Sequence, residues 1–179
     1  MFFFDMLFGK KPAPPPGQLP AGPAAAATRP QVRAPGTGIR HDPRLIDALK
    51  EDHRMLLDIY TAIESARRAE DLLSVQTRLG QFRMVLQDHL LKENVRLYVY
   101  LEHVLRGDSV SHELMHGFRH EMDDIGRVLV GFLGKYREIS IHPELAGEFA
   151  KDFATIGDAL IARIRREEET LYPMYAPLT

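Results

Sequence analysis

The sequence predicts an all-α protein, an up-down-up-down four-helix bundle behind a disordered N-terminal tail. Three observations predict it. Beyond residue 42, apolar side chains recur at helical spacing in four long stretches. None of these stretches alternates apolar and polar residues as a half-buried strand does. The breaks between them are short, which makes successive helices antiparallel neighbours.

The chain divides near residue 40. Residues 1–11, "MFFFDMLFGKK", are a short apolar peptide ending in two lysines. Asp5 interrupts it, and it is too short for a secretory hydrophobic region with its flanks. It reads as a poorly ordered terminus or as a tethered docking peptide. In the second case it fills a groove on a partner or touches a membrane surface beside its lysines. Residues 12–40 form a linker, and eight of the twelve prolines fall between residues 12 and 35, mostly among alanine and glycine. Such a segment has too little to bury and stays extended.

Residues 41–179 form the bundle. Asp42-Pro43 supplies a cap followed by a proline at the first helical position. Leu45, Leu49, His53, Leu56, Tyr60 and Ile63 then mark a stripe that runs to about residue 67. The second helix, near 70–105, carries Phe82, Leu86, His89, Glu93, Arg96 or Leu97, and Tyr100, and Gly107 ends it. The third, near 110–138, carries Met115, Phe118, Met122, Ile125, Leu129, Phe132 and Tyr136. The fourth starts near Pro143 with Phe149, Phe153, Ile156, Leu160, Ile164, Glu167 and Leu171, and Pro173 stops it.

Composition narrows the function. A net charge of −2 gives no basis for direct nucleic-acid binding. The absence of cysteine removes disulfides, thiolate metal sites and cysteine nucleophiles, and fits a cytoplasmic setting. Charges break the aliphatic runs well short of the ~18 apolar residues of a membrane span. With no nucleophile motif or phosphate loop, the chain is expected not to be an enzyme.

The polar residues on the apolar stripes carry the chemistry. His89 and Glu93, in "DHLLKE", lie four apart on the inward face of the second helix. His53 lies on the stripe of the first, and Glu167 on that of the fourth with Glu168 at its edge. Two imidazoles and two carboxylates aimed inward need neutralisation, because unpaired buried carboxylates are expensive. A cation is one way. Arg163, one turn before Glu167, is another, as a bidentate charge-assisted partner of Glu93 and Glu167. The histidines of "HELMHGFRH" read differently: His116 and His120 fall on the outer face of the third helix, opposite its apolar stripe. His103, His112 and His142 sit at helix ends as ordinary surface residues.

"DHRMLLDIY", "DHLLKENVRLY" and "RIRREEETLYP", in this order, resemble the hemerythrin-like HHE cation-binding family. The resemblance implies a four-helix bundle with iron held on inward His and Glu side chains. Its metal ligands carry over as His53, His89, Glu93 and Glu167, with Glu168 a stand-in. In "EMDDIGRVL", Met122 stands where the family has a histidine, and Arg163 stands where the fourth helix supplies another. The resemblance therefore implies a partial iron site, or a metal-free state. "LIDALKEDHRMLLDIY", "FRMVLQDHLLKENVRLYVYLEHVL" and "FAKDFATIGDALIARIRREEETLY" are also similar to the Rsd/AlgQ family, which binds the housekeeping sigma factor of RNA polymerase. That similarity implies a regulatory protein with a sigma factor as partner.

Overall fold

The computed structural model describes residues 40–177. Among them the regular elements are helical: α1 (Leu45–Arg68), α2 (Leu72–Lys92), α3 (Tyr98–Val104), α4 (Ser109–Lys135) and α5 (Ala146–Arg166). A π-helical turn, Glu93–Leu97, joins α2 to α3 into one long helix, and a second, Glu167–Leu171, extends α5. The result is the four-helix bundle, with α1 packed on α2 and α5, and α4 packed on α3 and α5. The expectations for the apolar peptide and most of the linker fall on residues 1–39, outside the described residues.

Helix boundaries follow local hydrogen bonding. α1 starts at Leu45, and Arg44 precedes it without a side-chain cap. Asp42 instead accepts from the Arg44 N–H at 3.0 Å in the turn before the helix. Its own N–H donates to Tyr175 Oη at 2.8 Å, tying the first helix to the chain's C-terminal end. The corner after α1 closes with Glu70 at φ 57 and a bond from Asp71 N–H to Ala66 O. Asp71 then caps α2 through Ser74 N–H, and Asp108 caps α4 through Val110 and Ser111 N–H. Each such cap stabilises its helix by about 1 kcal/mol. Before α5 the chain makes a 3-10 turn, Pro143–Leu145, and Pro173 lies inside a closing 3-10 turn, Tyr172–Met174.

The apolar core is split in two. One cluster includes Leu56, Ile63, Phe82, Leu86, Leu129, Phe132, Phe153 and Leu160. The other includes Leu45, Leu49, Leu97, Tyr98, Met115, Phe118 and Leu171. Between them runs a layer of buried polar side chains: Asp52, His53, His89, Glu93, Arg163 and Glu167. Leu49 and Leu56 bracket His53 on α1, just as Ile164 and Leu171 bracket Glu167, so the division follows directly from the sequence. On the second long helix the buried position is Leu97, while Arg96 is exposed.

Candidate metal centre

Each π-helical turn begins at a buried carboxylate, Glu93 in one and Glu167 in the other. A π turn adds a residue to the local repeat, so it re-aims a side chain without breaking the helix, and such turns gather at functional positions. Here both re-aimed positions face the same polar layer. His53, His89 and Glu167 present ligand-capable atoms that all lie within 4.8 Å of one another. Glu93 is fully buried beside them, its Oε2 3.8 Å from His89 Nε2.

A carboxylate stands behind each imidazole. Glu168 Oε1 lies 2.8 Å from His53 Nδ1, which leaves Nε2 facing inward, 3.2 Å from Glu167 Oε2. Asp52 Oδ2 stands 3.6 Å from His89 Nδ1, and Lys92 Nζ holds both oxygens of that carboxylate at 3.0 Å. Carboxylates at the remote ring nitrogen are the usual arrangement behind metal-bound histidines. Glu168, expected as a stand-in ligand, thus sits on the far side of the His53 ring from the donor cluster. Asp52 was invisible to the stripe pattern because it adjoins His53 at the stripe's edge.

Arg163 closes the opposite side. Its Nε donates to Glu167 Oε1 at 2.5 Å, Nη1 to Phe118 O at 3.1 Å, and Nη2 to Tyr98 Oη at 3.1 Å. The bidentate grip on Glu93 and Glu167 that the sequence suggested does not form. The fork spreads over several acceptors instead, with Glu121 Oε2 also 3.5 Å from Nη1, since the buried Phe118 carbonyl and Tyr98 hydroxyl also need donors. Glu93 takes its one hydrogen bond from Tyr172 Oη at 3.2 Å. That hydroxyl is also 3.1 Å from His53 Nε2, with its ring stacked on the imidazole. Tyr172 was missed in the sequence because nothing in a lone Tyr-Pro at a helix end marks it.

The electrostatics follow from burial. Burial, then the Glu167 charge, drives the Glu93 carboxyl well above the usual carboxylate range, against the pull of Arg163. Burial also pushes Glu167 up, but His53 and Arg163 outweigh it and hold it below that range. Burial disfavours the His53 cation, yet Glu167 and Glu168 overcome this and raise its pKa. Two buried atoms of the layer have no hydrogen-bond partner, His89 Nδ1 and Glu93 Oε2. Native interiors seldom leave such atoms unsatisfied, and a bound ion is one of the accepted reasons, here for Glu93 Oε2, which faces the inward nitrogen of His89.

The donor set fits one cation and not two. His53, His89 and one oxygen of Glu167 converge, while the other oxygen of Glu167 is committed to Arg163. Met122, buried across the layer, offers only a thioether, a poor donor for an iron that prefers nitrogen and oxygen. Arg163 is permanently charged and cannot ligate a cation. A cavity of about 230 Å³ reaches this layer between apolar walls that include Leu56, Leu129 and Leu160, and ends on His53, His89 and Arg163. Elsewhere, Arg67 and Arg68 both engage Glu64, and His120 is exposed.

Fold and centre together define a helical bundle with ligand-capable side chains gathered in its polar middle layer. The model of the hemerythrin HHE cation binding domain matches residues 44–175, and the chain belongs to that family. No curated protein and no solved structure matches it. No helix among the described residues is long and apolar enough to cross a membrane.

Proposed function

We propose that this chain is a non-enzymatic binding protein that holds a single iron, or a similar divalent cation, on His53, His89 and Glu167, with Glu93 completing the site. The observation that carries this reading is the convergence of three buried donors beside the orphaned Glu93 Oε2. Two imidazoles with carboxylates suit Fe(II), Mn(II) or Zn(II). Bound iron would supply an open coordination position for a small ligand such as dioxygen. The chain's own residues do the rest: Glu168 orients His53, Asp52 stands behind His89, Tyr172 donates to Glu93, and the cavity gives a small ligand an apolar path to the layer. Such an arrangement suits sensing or regulation. The test is metal content per chain after anaerobic incubation with Fe(II) and removal of free ion. His89→Ala is expected to lose one equivalent relative to the intact protein. Equal content in the two would overturn the reading.

A second reading, regulation by binding the housekeeping sigma factor, rests on the Rsd/AlgQ similarity. Arg163 favours it, because a guanidinium bonded to Glu167 supplies one of the layer's positive charges without any metal. The apolar N-terminal peptide supplies a further docking element, on a protein partner or a membrane surface. A pull-down with the purified full chain should recover the sigma factor alongside an established regulator run in parallel. Recovery by the regulator alone would remove this reading.

A further inference from the structure

The third long helix carries a group of side chains that the polar middle layer does not use. His112 and His116 lie four apart on the first turns of α4, their rings 4.5 Å apart and nearly perpendicular. Across the corner, Glu102 near the end of α3 reaches both. Its Oε1 is 3.1 Å from His112 Nε2, and its Oε2 is 3.3 Å from His116 Nε2. One ligand-capable atom from each of the three residues lies within 4.8 Å of the other two. We infer that Glu102, His112 and His116 form a second metal site, on the surface of the bundle, that takes a divalent transition-metal cation such as Zn²⁺.

Geometry supports this in three ways. First, both imidazoles turn the same nitrogen, Nε2, toward a single carboxylate. Three donors thereby enclose one point, as an i, i+4 histidine pair with an acid from another helix does in zinc sites. Second, the spacings leave room for one cation between the three side chains. Each imidazole reaches a different oxygen of Glu102, at 3.1 and 3.3 Å, and one ligand atom from each of the three residues stays within 4.8 Å of the other two. Third, the group is held and reachable. The 3-10 turn Leu105–Gly107 fixes the corner, and the Asp108 cap starts α4 one turn before His112. Side-chain exposures of 33% for Glu102, 30% for His112 and 50% for His116 leave an open side for the cation and a water.

The site is separate from the buried one. Glu102 lies nine residues beyond Glu93 along one continuous helix, about 13 Å at 1.5 Å per residue. It shares no side chain with the middle layer, so its occupancy is independent of whether iron binds there. The sequence concealed it because the pair that matters is His112 with His116, not His116 with His120, and the third ligand comes from before the turn.

The test is a Zn²⁺ titration of the full chain, freed of metal with a chelator, followed by calorimetry. It is run on the unchanged protein, on the double variant His112→Asn with His116→Asn, and on Glu102→Gln. All three positions are partly exposed, so these variants should keep the far-ultraviolet circular dichroism of the parent. The expected result is one fewer Zn²⁺ equivalent in the double variant, and at least a tenfold weaker equivalent in Glu102→Gln. Titration with Co²⁺ should give tetrahedral visible absorption bands that the double variant reduces. Unchanged stoichiometry in the folded double variant would overturn the assignment, whatever the buried layer binds.

Discussion

Arg163 stands one helical turn before Glu167 and holds its Oε1 through Nε at 2.5 Å, with both side chains buried. The guanidinium occupies the place where the family resemblance predicts a histidine. It therefore removes a ligand and supplies a fixed positive charge in the same stroke. The polar layer is left with one carboxylate oxygen neutralised from within the protein and the remaining donors converging on a single point.

Arg163→Met should unbalance that layer. Glu93 and Glu167 would then share a buried layer without a permanent cation. Breaking a buried pair by removing one partner costs about 3 to 5 kcal/mol. Urea unfolding of chelator-treated protein should show a loss near the lower end, since His53 still faces Glu167. Added Fe(II) or Zn²⁺ should recover part of it, because a ligand that binds only the folded state stabilises it. No loss in the metal-free variant would show that the layer is neutralised in some other way.

Restoring both missing imidazoles should raise metal content. Met122 and Arg163 approach the layer from α4 and α5, and both are buried. The double substitution Met122→His with Arg163→His is expected to bind one more iron per chain than the parent under the same anaerobic loading. Elemental analysis gives the count. An unchanged count would mean that the Arg163 contacts to Phe118 O and Tyr98 Oη organise the layer beyond what ligand identity decides.

How far the sequence spoke depended on whether a feature repeats along one helix or arises between helices. The stripes through Leu49, His53 and Leu56, or through Ile164, Glu167 and Leu171, reveal burial because the helical period projects each position onto one face. That was enough to place the bundle and to point His53, His89, Glu93 and Glu167 inward. The π turns at Glu93 and Glu167 left no mark, since their residues read as ordinary helix. Tyr172, Asp52 and the Glu102–His112–His116 group were hidden for a related reason. Each gains its role from a partner on another element, and a one-dimensional period carries no information about that partner.

Gly157 records a close approach between α1 and α5. A methyl group built there would lie 2.1 Å from Tyr60 Oη and 2.3 Å from its Cζ. Tyr60 stacks on Phe153 with ring centroids 4.3 Å apart. Gly157→Ala gains about 1 kcal/mol of helix propensity, but it forces the ring off Phe153 and crowds the contact, at about 1 to 3 kcal/mol. Crowding should win, with a net loss of about 1 kcal/mol in urea unfolding. Tyr60→Ala should relieve the clash, so the glycine substitution made on that background should be neutral or stabilising. Simple additivity of the two changes would argue against the contact.

Glu64 gives the clearest pH dependence outside the polar layer. Hydrogen bonds from Arg67 hold its carboxyl near a pKa of about 2, outweighing burial, and Arg68 adds to the effect. The folded-state value lies below the ordinary 4.5 of the unfolded chain. The unfolded state therefore takes up a proton first as pH falls, and the stabilisation is fully present above about pH 4.5 and is lost toward pH 2. The side chains are about a quarter exposed for Glu64 and nearly three quarters for Arg68, so solvent screens the interaction. Its worth is that of a surface network, up to about 1 kcal/mol, rather than the full shift. Glu64→Gln should thus be less stable than the parent by that amount at pH 7. The gap should narrow steadily between pH 4.5 and 3, and 0.5 M salt should shrink it at neutral pH. A gap that stays constant with pH would show that Glu64 acts through packing or neutral hydrogen bonds, since only the charged form distinguishes the two side chains over that range.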